Sequence, residues 1–147
     1  MRSFLVRGKK PICKWGQLQQ GTMFQGTVPE GYDLGISPTP GIVIIDVDRH
    51  GDKDGFTAIP VELLGELENT LNYPTKNNGR HYWFYYTGKE CLGNKTSGQG
   101  IDLRNEKGYV VWYPKEDIHE CIKIVKESSE EMNQWLEKLF CFKHNQK

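Results

Sequence analysis

A run of four β-branched residues, Ile-Val-Ile-Ile at 42–45, leads directly into Asp46, Val47 and Asp48. Turn-forming residues bound this run, so it predicts a buried central strand. Side chains two residues apart in a strand project from the same face, which places Asp46 and Asp48 side by side at the strand end. Neighbouring carboxylates repel each other, and a divalent cation between them relieves the repulsion. The alternative is a pair of acids in a turn, where aspartate is common.

Two other segments carry a helical pattern. Apolar residues recur every three or four positions over 60–71 and again over about 117–140. In the second segment, Ser128 and Ser129 divide the pattern, and Ser129 is predicted to cap the helix that follows. Both segments are therefore expected to pack as helices against the strand at 42–45.

The remaining segments complete the predicted α+β fold. Extended structure is expected at 80–86, 100–104 and 109–113, with a hairpin turn at 105–108 between the last two. Residues 1–30 have no clear period and are expected to be irregular. The sixteen glycines and 12% aromatic content favour a mixed fold over a helical bundle. We therefore expect one domain, 1–147, with a mostly antiparallel sheet and flanking helices.

The charge distribution is uneven although the formal net charge is zero. A neutral chain is unusual for a nucleic-acid enzyme. However, five basic residues precede the first acidic residue, Glu30: they are Arg2, Arg7, Lys9, Lys10 and Lys14. This asymmetry predicts either one basic face or a solvated N-terminal arm.

The cysteine pattern favours free thiols in a cytoplasmic setting, because the cysteines are widely spaced and no signal-peptide segment precedes them. A zinc site would need His119, Cys121, Cys141 and His144. His119 and Cys121 would point to different faces of a helix, which disfavours that site. No apolar run is long enough to span a membrane, so no membrane partner is expected.

Asp102 supplies a third carboxylate to the candidate metal site. It lies between Ile101 and Leu103, so it faces away from the side that they bury. If its strand pairs beside the strand of Asp46, three carboxylates meet and can hold two Mg²⁺ or Mn²⁺ ions for phosphoryl transfer. The alternative is a solvent-facing Asp102 paired with Arg104 on the same face.

A polar turn precedes the aromatic strand at 80–86. Its residues offer backbone N–H groups and donors that suit a triphosphate; they are Asn77, Asn78, Gly79, Arg80 and His81. The alternative for His81 is a packed histidine beside aromatic residues. The aromatic side chains themselves either stack on bases or form the core, and the core interpretation is favoured.

The order of these motifs resembles the primase-polymerase domain of the archaeo-eukaryotic primase superfamily. The matching features are an apolar strand into Asp-x-Asp, a turn ending in x-His before an aromatic strand, and Gly-Ile-Asp-Leu-Arg followed by Gly-Tyr-Val-Val. Lys10-Pro11 and Trp15 resemble the family's N-terminal motif, so the likeness spans about 10–114. Such domains occur in replication proteins of phages, plasmids and other mobile elements.

The resemblance implies a fold and an activity. The implied fold is a sheet related to the RNA-recognition fold, with flanking helices and a small N-terminal α/β module. The implied activity is DNA primase or polymerase synthesis from dNTPs or NTPs on a single-stranded DNA template. Asp46, Asp48 and Asp102 would bind the catalytic metals, and His81 would contact the nucleotide's phosphates. Arg104 and Lys10 are further candidates for phosphate or template contacts.

The resemblance also bears on partners and location. No helicase segment is recognisable, so a separate replicative helicase is an expected partner, in the cytoplasm of a bacterial host. The chain departs from the family at 77–79, where Asn-Asn-Gly replaces Ser-Gly-Gly, and at 112–115, where Trp-Tyr-Pro-Lys replaces Ala-Pro-Pro-Ser. Two alternatives stay open: a non-catalytic nucleic-acid-binding module with the same fold, and a metal-dependent nuclease.

Overall fold

The computed structural model describes residues 1–141. The twelve strands of this part are β1 (Arg2–Arg7), β2 (Lys10–Pro11), β3 (Asp33–Ser37), β4 (Ile42–Val47), β5 (Arg49–His50), β6 (Lys53–Asp54), β7 (Asn72–Pro74), β8 (Arg80–Tyr85), β9 (Lys95–Thr96), β10 (Ile101–Arg104), β11 (Val110–Trp112) and β12 (Lys126–Glu127). The α-helices are α1 (Leu64–Glu68), α2 (Ile118–Cys121) and α3 (Glu130–Phe140), and short 3₁₀ turns occupy Trp15–Gln17, Gly55–Ala58, Val61–Leu63 and Ile122–Ile124. This composition confirms the predicted α+β class.

The predicted strand at 42–45 is β4, in the middle of a six-stranded sheet. The strand order is β12-β8-β4-β10-β9, and β7 also pairs with β8. Every pairing is antiparallel except that of β12 with β8. The four apolar residues at 42–45 are all buried, since both faces of β4 are covered.

Each face of this sheet packs against a different layer. On one face, Val43, Ile45 and Val47 contact a core that includes Met132, Leu136 and Phe140 of α3. On the other face, Ile42, Ile44 and Trp83 contact Trp112 and Ile118. The second layer therefore joins the central sheet to β11 and α2.

A second sheet corrects the expectation that residues 1–30 are irregular. Its four strands run β11-β3-β1-β2, and β1 pairs with β3 over five residues. The sequence signal is weak because polar residues occupy buried positions of β1. Arg2 is buried and donates hydrogen bonds to Ser37 Oγ (3.2 Å) and to the Glu106 carbonyl (2.6 Å). Ser3 Oγ accepts the Phe24 N–H at 2.7 Å.

The predicted hairpin of β10 and β11 is wrong. A turn does form at 105–108, where the Gly108 N–H donates to the Asn105 carbonyl at 2.9 Å. However, β10 pairs with β4 and β11 pairs with β3, so the turn carries the chain from one sheet to the other. The connection after β10 therefore links the strand of Asp102 to the second sheet.

The helical segments are shorter than expected. Residues 60–71 form the 3₁₀ turn at 61–63 and α1, after which the chain enters β7 rather than continuing as helix. Thr70 fixes this reversal, since its hydroxyl donates to the Trp83 carbonyl at 2.5 Å. The division at Ser128-Ser129 is confirmed: Ser129 Oγ caps α3 by accepting the Met132 N–H at 3.1 Å. No helix among residues 1–141 has the length and apolar character needed to cross a bilayer.

Candidate metal and nucleotide site

Asp46 lies on the central strand between two functional neighbours. In the strand register it is opposite Asp102 of β10 on one side and His81 of β8 on the other. Directly paired residues on adjacent strands project from the same face. Ligand atoms of Asp46, Asp48 and Asp102 all lie within 4.8 Å of one another. The expected adjacency of the two aspartate strands is therefore confirmed.

Asp48 follows the last residue of β4 and is held through its backbone. Its N–H donates to the Gly100 carbonyl at 2.8 Å, and its own carbonyl accepts the Gly55 N–H at 2.8 Å. A Cβ on Gly55 would lie 2.2 Å from the Gly100 carbonyl oxygen. Only glycine at position 55 allows the two loops to approach this closely, so Gly55 and Gly100 together clamp Asp48.

The Asp46 carboxylate contains an unsatisfied buried atom. Among the described residues Oδ1 has no hydrogen-bond partner, and His81 Nε2 lies 3.4 Å from it. Buried polar atoms are normally paired, so an orphaned carboxylate oxygen calls for an explanation. Divalent Mg²⁺ and Mn²⁺ prefer oxygen ligands of this kind. The three carboxylates and the orphaned oxygen fit such a cation.

The two central carboxyls have opposite pKa shifts. Burial and the charges of Asp46 and Asp102 raise the pKa of Asp48 to about 7. Burial also acts to raise the pKa of Asp46, but His81, Asp48 and Arg104 outweigh it and hold that pKa below its usual value. Without a cation the pair therefore retains a proton on Asp48, as expected for like charges held close together.

His81 is oriented by two buried aromatic residues. Trp83 Nε1 donates to the Tyr73 hydroxyl oxygen at 2.9 Å, and that hydroxyl lies 3.1 Å from His81 Nδ1. Since Trp83 already donates to this oxygen, the Tyr73 O–H is free to donate to Nδ1 of the neutral ring. On the basis of this network we assign the ring hydrogen to Nε2, which faces Asp46. Residues 82–84 are buried, which confirms the core interpretation for them, whereas Tyr85 of the same strand is exposed.

A cavity of about 560 Å³ opens above these residues. Asp46, Asp48 and Asp102 contribute one part of its lining. Three further groups lie around them: Thr75, Lys76, Asn77 and His81 from the β7–β8 region, Arg104 beside Asp102, and Lys9, Trp15, Lys107, Tyr109 and Tyr113 from the second sheet. Its volume falls within the range of small-molecule sites, about 300–1,000 Å³.

Comparison with known proteins decides the family. A family model described as bifunctional DNA primase/polymerase, N-terminal (Prim-Pol), matches residues 7–135. The chain belongs to this family. The Prim-Pol description implies a nucleotidyltransferase-type enzyme with a DNA template and nucleotide substrates. No curated protein compared with the chain matches it.

The structure brings some of the sequence-predicted Prim-Pol site residues into the cavity and leaves others outside. Asn77, His81 and Arg104 line it together with the three aspartates. Arg104 Nη2 lies 3.6 Å from Asp102 Oδ2, so the ion pair considered as an alternative exists alongside the carboxylate cluster.

The residues outside the cavity have structural contacts of their own. Arg80 alternates with His81 along β8 and donates from Nε to Asn72 Oδ1 at 2.8 Å. The Asn78 carbonyl accepts from Arg49 Nη1 at 3.2 Å. Gly79 packs so tightly that a Cβ would lie 2.4 Å from the Val47 carbonyl oxygen.

Of the two adjacent lysines at the β1–β2 turn, Lys9 and not Lys10 lines the Prim-Pol cavity. Lys10 is exposed on β2, whereas Lys9 lines the cavity. Gly8 and Lys9 both have positive φ, 56° and 67°, between the paired residues Arg7 and Lys10. Two such residues make the tight turn typical of a two-residue hairpin, and the glycine before Lys9 is the sequence signal for it.

The zinc set that the sequence disfavours is not assembled in the described part of the chain. His119 is exposed, Cys121 packs beside the Trp83–Trp112 core, and Cys141 is buried in the α3 core, where Sγ donates to Glu90 Oε2 at 3.7 Å. His144 lies outside the described residues. All four cysteines are free thiols, as predicted.

Proposed function

We propose that this Prim-Pol chain catalyses template-directed nucleotidyl transfer, as a DNA primase or polymerase, at the Asp46–Asp48–Asp102 cluster. The carrying observation is the set of three carboxylates within 4.8 Å, with a buried Asp46 oxygen that no described residue satisfies. Three like charges held together have a cost in stability and little structural use, which argues for a bound cation.

The proposed roles follow from position. Asp46, Asp48 and Asp102 would hold Mg²⁺ or Mn²⁺. When bound, divalent ions at such a site activate an attacking hydroxyl and stabilise charge on the phosphates and the leaving oxygen. In the reaction, a 3′-hydroxyl forms a bond to the α-phosphorus as the bond to pyrophosphate breaks, and the hydroxyl proton passes to water. The protein contributes positioning and charge stabilisation.

The triphosphate would lie on the β7–β8 side of the cavity. His81 directs its Nε2 toward the Asp46 edge, and Asn77 and Lys76 lie at the same side of the opening. Arg104 would balance negative charge from its place beside Asp102. Arg80, Asn78 and Gly79 would act indirectly, by fixing the turn that carries Asn77.

The wider context is also a proposal. The template would be single-stranded DNA, and dNTPs or NTPs the substrates, in the replication of a phage, plasmid or other mobile element in the bacterial cytoplasm. A separate replicative helicase would be a partner. Both sheets line one cavity, which supports treating residues 1–147 as a single minimal domain.

The test is Mn²⁺-dependent nucleotide incorporation on primed and unprimed single-stranded templates. Wild-type incorporation that Asp46→Asn/Asp48→Asn abolishes would establish the polymerase, and the unprimed template would reveal priming. Asp52→Asn/Glu62→Gln is the matched control, since both acids are exposed and outside the cavity. Degradation of the template instead would favour a nuclease. Neither reaction, together with no nucleotide binding by calorimetry, would leave a binding module.

A further inference from the structure

The part of the cavity lining that comes from the second sheet and its adjoining turns combines positive charge with aromatic surface. We define the basic-aromatic wall as Lys9, Trp15, Lys107 and Tyr109, all of which line the cavity. Lys9 comes from the β1–β2 turn and Trp15 from the 3₁₀ turn that follows β2. Lys107 and Tyr109 come from the β10–β11 connection. None of these residues is needed to hold the carboxylate cluster together.

The Trp15 ring is held in place by contacts with two residues of β1. Its ring stacks on Phe4 with centroids 5.3 Å apart and an interplanar angle of 17°, and the Arg2 guanidinium lies 4.9 Å from its centroid. Arg2 and Phe4 are two residues apart on β1, so they project from the same side of that strand. Both contacts hold the indole in place. Trp15 also lines the cavity, so part of its ring is available to a ligand there.

Tyr109 ties the wall together. Its ring makes an edge contact with Trp15 at 5.5 Å, and its hydroxyl donates to the Lys9 carbonyl at 2.7 Å. That bond joins the β10–β11 connection to the hairpin tip, where Lys9 holds a positive φ of 67°. A non-glycine residue held in this conformation is fixed by its surroundings, so the tip is preorganised.

The two lysines are not neutralised by a contacting acid, although the charge of Lys9 acts to lower the pKa of Asp48. Lys9 and Lys107 are exposed, and neither is in an ion pair among the described residues. Cationic side chains interleaved with aromatic faces are the features that bind single-stranded nucleic acid, since the cations hold phosphates and the rings stack on any base.

Building on the proposed function, we infer that the basic-aromatic wall binds a single-stranded DNA segment, with a base against Trp15 and phosphates on Lys9 and Lys107. His81 and Asn77 line the same cavity from other elements, β8 and the turn before it. This arrangement leaves the β7–β8 side for the triphosphate and brings the templating base beside it.

The test is fluorescence anisotropy of a labelled oligo-dT in EDTA, with the full chain and no nucleotide. Lys9→Gln/Lys107→Gln should weaken binding by at least about 5-fold and reduce the slope of log K against log salt by roughly 1.4, since each phosphate contact on a single strand contributes about 0.7. Lys89→Gln/Lys138→Gln is the charge-matched control, since both lysines are exposed and outside the cavity. A wall variant that matches this control in affinity and salt slope would overturn the inference.

A second variant set tests the stacking. Trp15→Leu should weaken binding by about 5-fold or more, whereas Trp15→Phe should retain most of the affinity, because stacking depends on an aromatic face. Circular dichroism checks folding, and the lysine pair decides the question if Trp15→Leu unfolds. A higher KM for dNTP with unchanged oligo-dT affinity would overturn the inference and assign the wall to the incoming nucleotide.

The binding assay is independent of catalysis. The Asp46→Asn/Asp48→Asn protein can be titrated with oligo-dT even though it should not incorporate nucleotides. Suppose that the wild-type protein binds oligo-dT through the wall but incorporates no nucleotide. That result would support the wall inference and contradict the polymerase proposal. If instead the wild-type protein incorporates nucleotides and the wall variants bind DNA with wild-type affinity, the polymerase proposal is supported and the wall inference is contradicted.

Discussion

The orientation of the His81 ring is set by residues that do not line the cavity. Tyr73 and Trp83 are buried and form the hydrogen-bonded sequence Trp83–Tyr73–His81, and His81 Nε2 lies 3.4 Å from Asp46 Oδ1 without a hydrogen bond to it. Neutral histidine exposes a donor at one nitrogen and an acceptor at the other, and the partner of Nδ1 selects which. Tyr73 is therefore a positioning residue for the Nε2 donor that faces the proposed triphosphate.

Tyr73→Phe should expose this role at the residue scale. The change removes the acceptor of Trp83 Nε1 and the donor to His81 Nδ1, and an unsatisfied buried donor costs about 1–3 kcal/mol of stability. Urea unfolding measures that loss. Nitrogen NMR of the His81 ring should show a mixed tautomer in place of one with hydrogen on Nε2.

Tyr85→Phe is the matched control, because Tyr85 lies on the same strand with 40% of its surface exposed. It should leave stability and the His81 tautomer as in wild type. An unchanged tautomer in Tyr73→Phe would show that Tyr73 only fills space.

At the scale of elements, the clamp on Asp48 depends on two loops that approach each other through glycine. The loop after β6 supplies the Gly55 N–H, and the loop before β10 supplies the Gly100 carbonyl. Gly100 has φ of 82°, and a Cβ there would lie 2.8 Å from the Gly55 nitrogen. Asp48 is therefore placed by backbone contacts between elements, although its side chain provides the chemistry.

Gly55→Ala should damage the cation site more than the fold. The added Cβ would overlap a backbone carbonyl, so the loops must separate and Asp48 must shift. Residues that orient metal ligands typically contribute 10–100-fold to affinity or activity, and we expect Mn²⁺ affinity, measured by calorimetry, to fall by about that factor. Gly65→Ala in α1 is the control, since nothing lies within 4 Å of its Cβ position. Equal Mn²⁺ affinity in the two variants would contradict the clamp.

Some residues of this site could be predicted from the sequence and others could not, for physical reasons. Asp46, Asp48 and Asp102 could be found because strand alternation and an apolar run place carboxylates at a strand end. Gly55, Tyr73 and Lys9 could not be assigned, because their roles depend on contacts between segments distant in sequence. The same holds for β1, whose buried Arg2 and Ser3 obscure the alternation, and for β10 and β11, whose hairpin-like spacing conceals a crossing between sheets.

At the scale of the whole molecule, the division into two sheets creates the cavity. The six-stranded sheet supplies the carboxylates and His81, and the four-stranded sheet with its adjoining turns supplies Lys9, Trp15 and Tyr109. Arg2 joins the layers, because it donates to the Glu106 carbonyl in the connection between β10 and β11. The ionisation of the carboxylates in this cavity is coupled to folding, because burial and neighbouring charges shift the pKa of Asp48.

That coupling predicts how stability depends on pH without a cation. The pKa of Asp48 is about 7 in the folded protein, above its ordinary 3.8, so the folded state binds more protons than the unfolded state between these values. The contribution of Asp48 to stability therefore falls as pH rises from about 4 to 7. The lowered pKa of Asp46 acts in the opposite sense and only at more acidic pH.

Thermal unfolding in EDTA from pH 5 to 7.5 should show this fall, and Asp48→Asn should flatten it because the titrating group is gone. Asp52→Asn is the control and should follow wild type, since Asp52 is exposed and outside the cavity. Mg²⁺ or Mn²⁺ binds the ionised carboxylates of the folded state, so adding either should raise Tm most at pH 7.5 in wild type and little in Asp48→Asn. If Tm depends on pH in the same way in wild type and Asp48→Asn, the proton is not retained on Asp48. If Mg²⁺ or Mn²⁺ raises the Tm of both proteins equally, the cation site itself is contradicted.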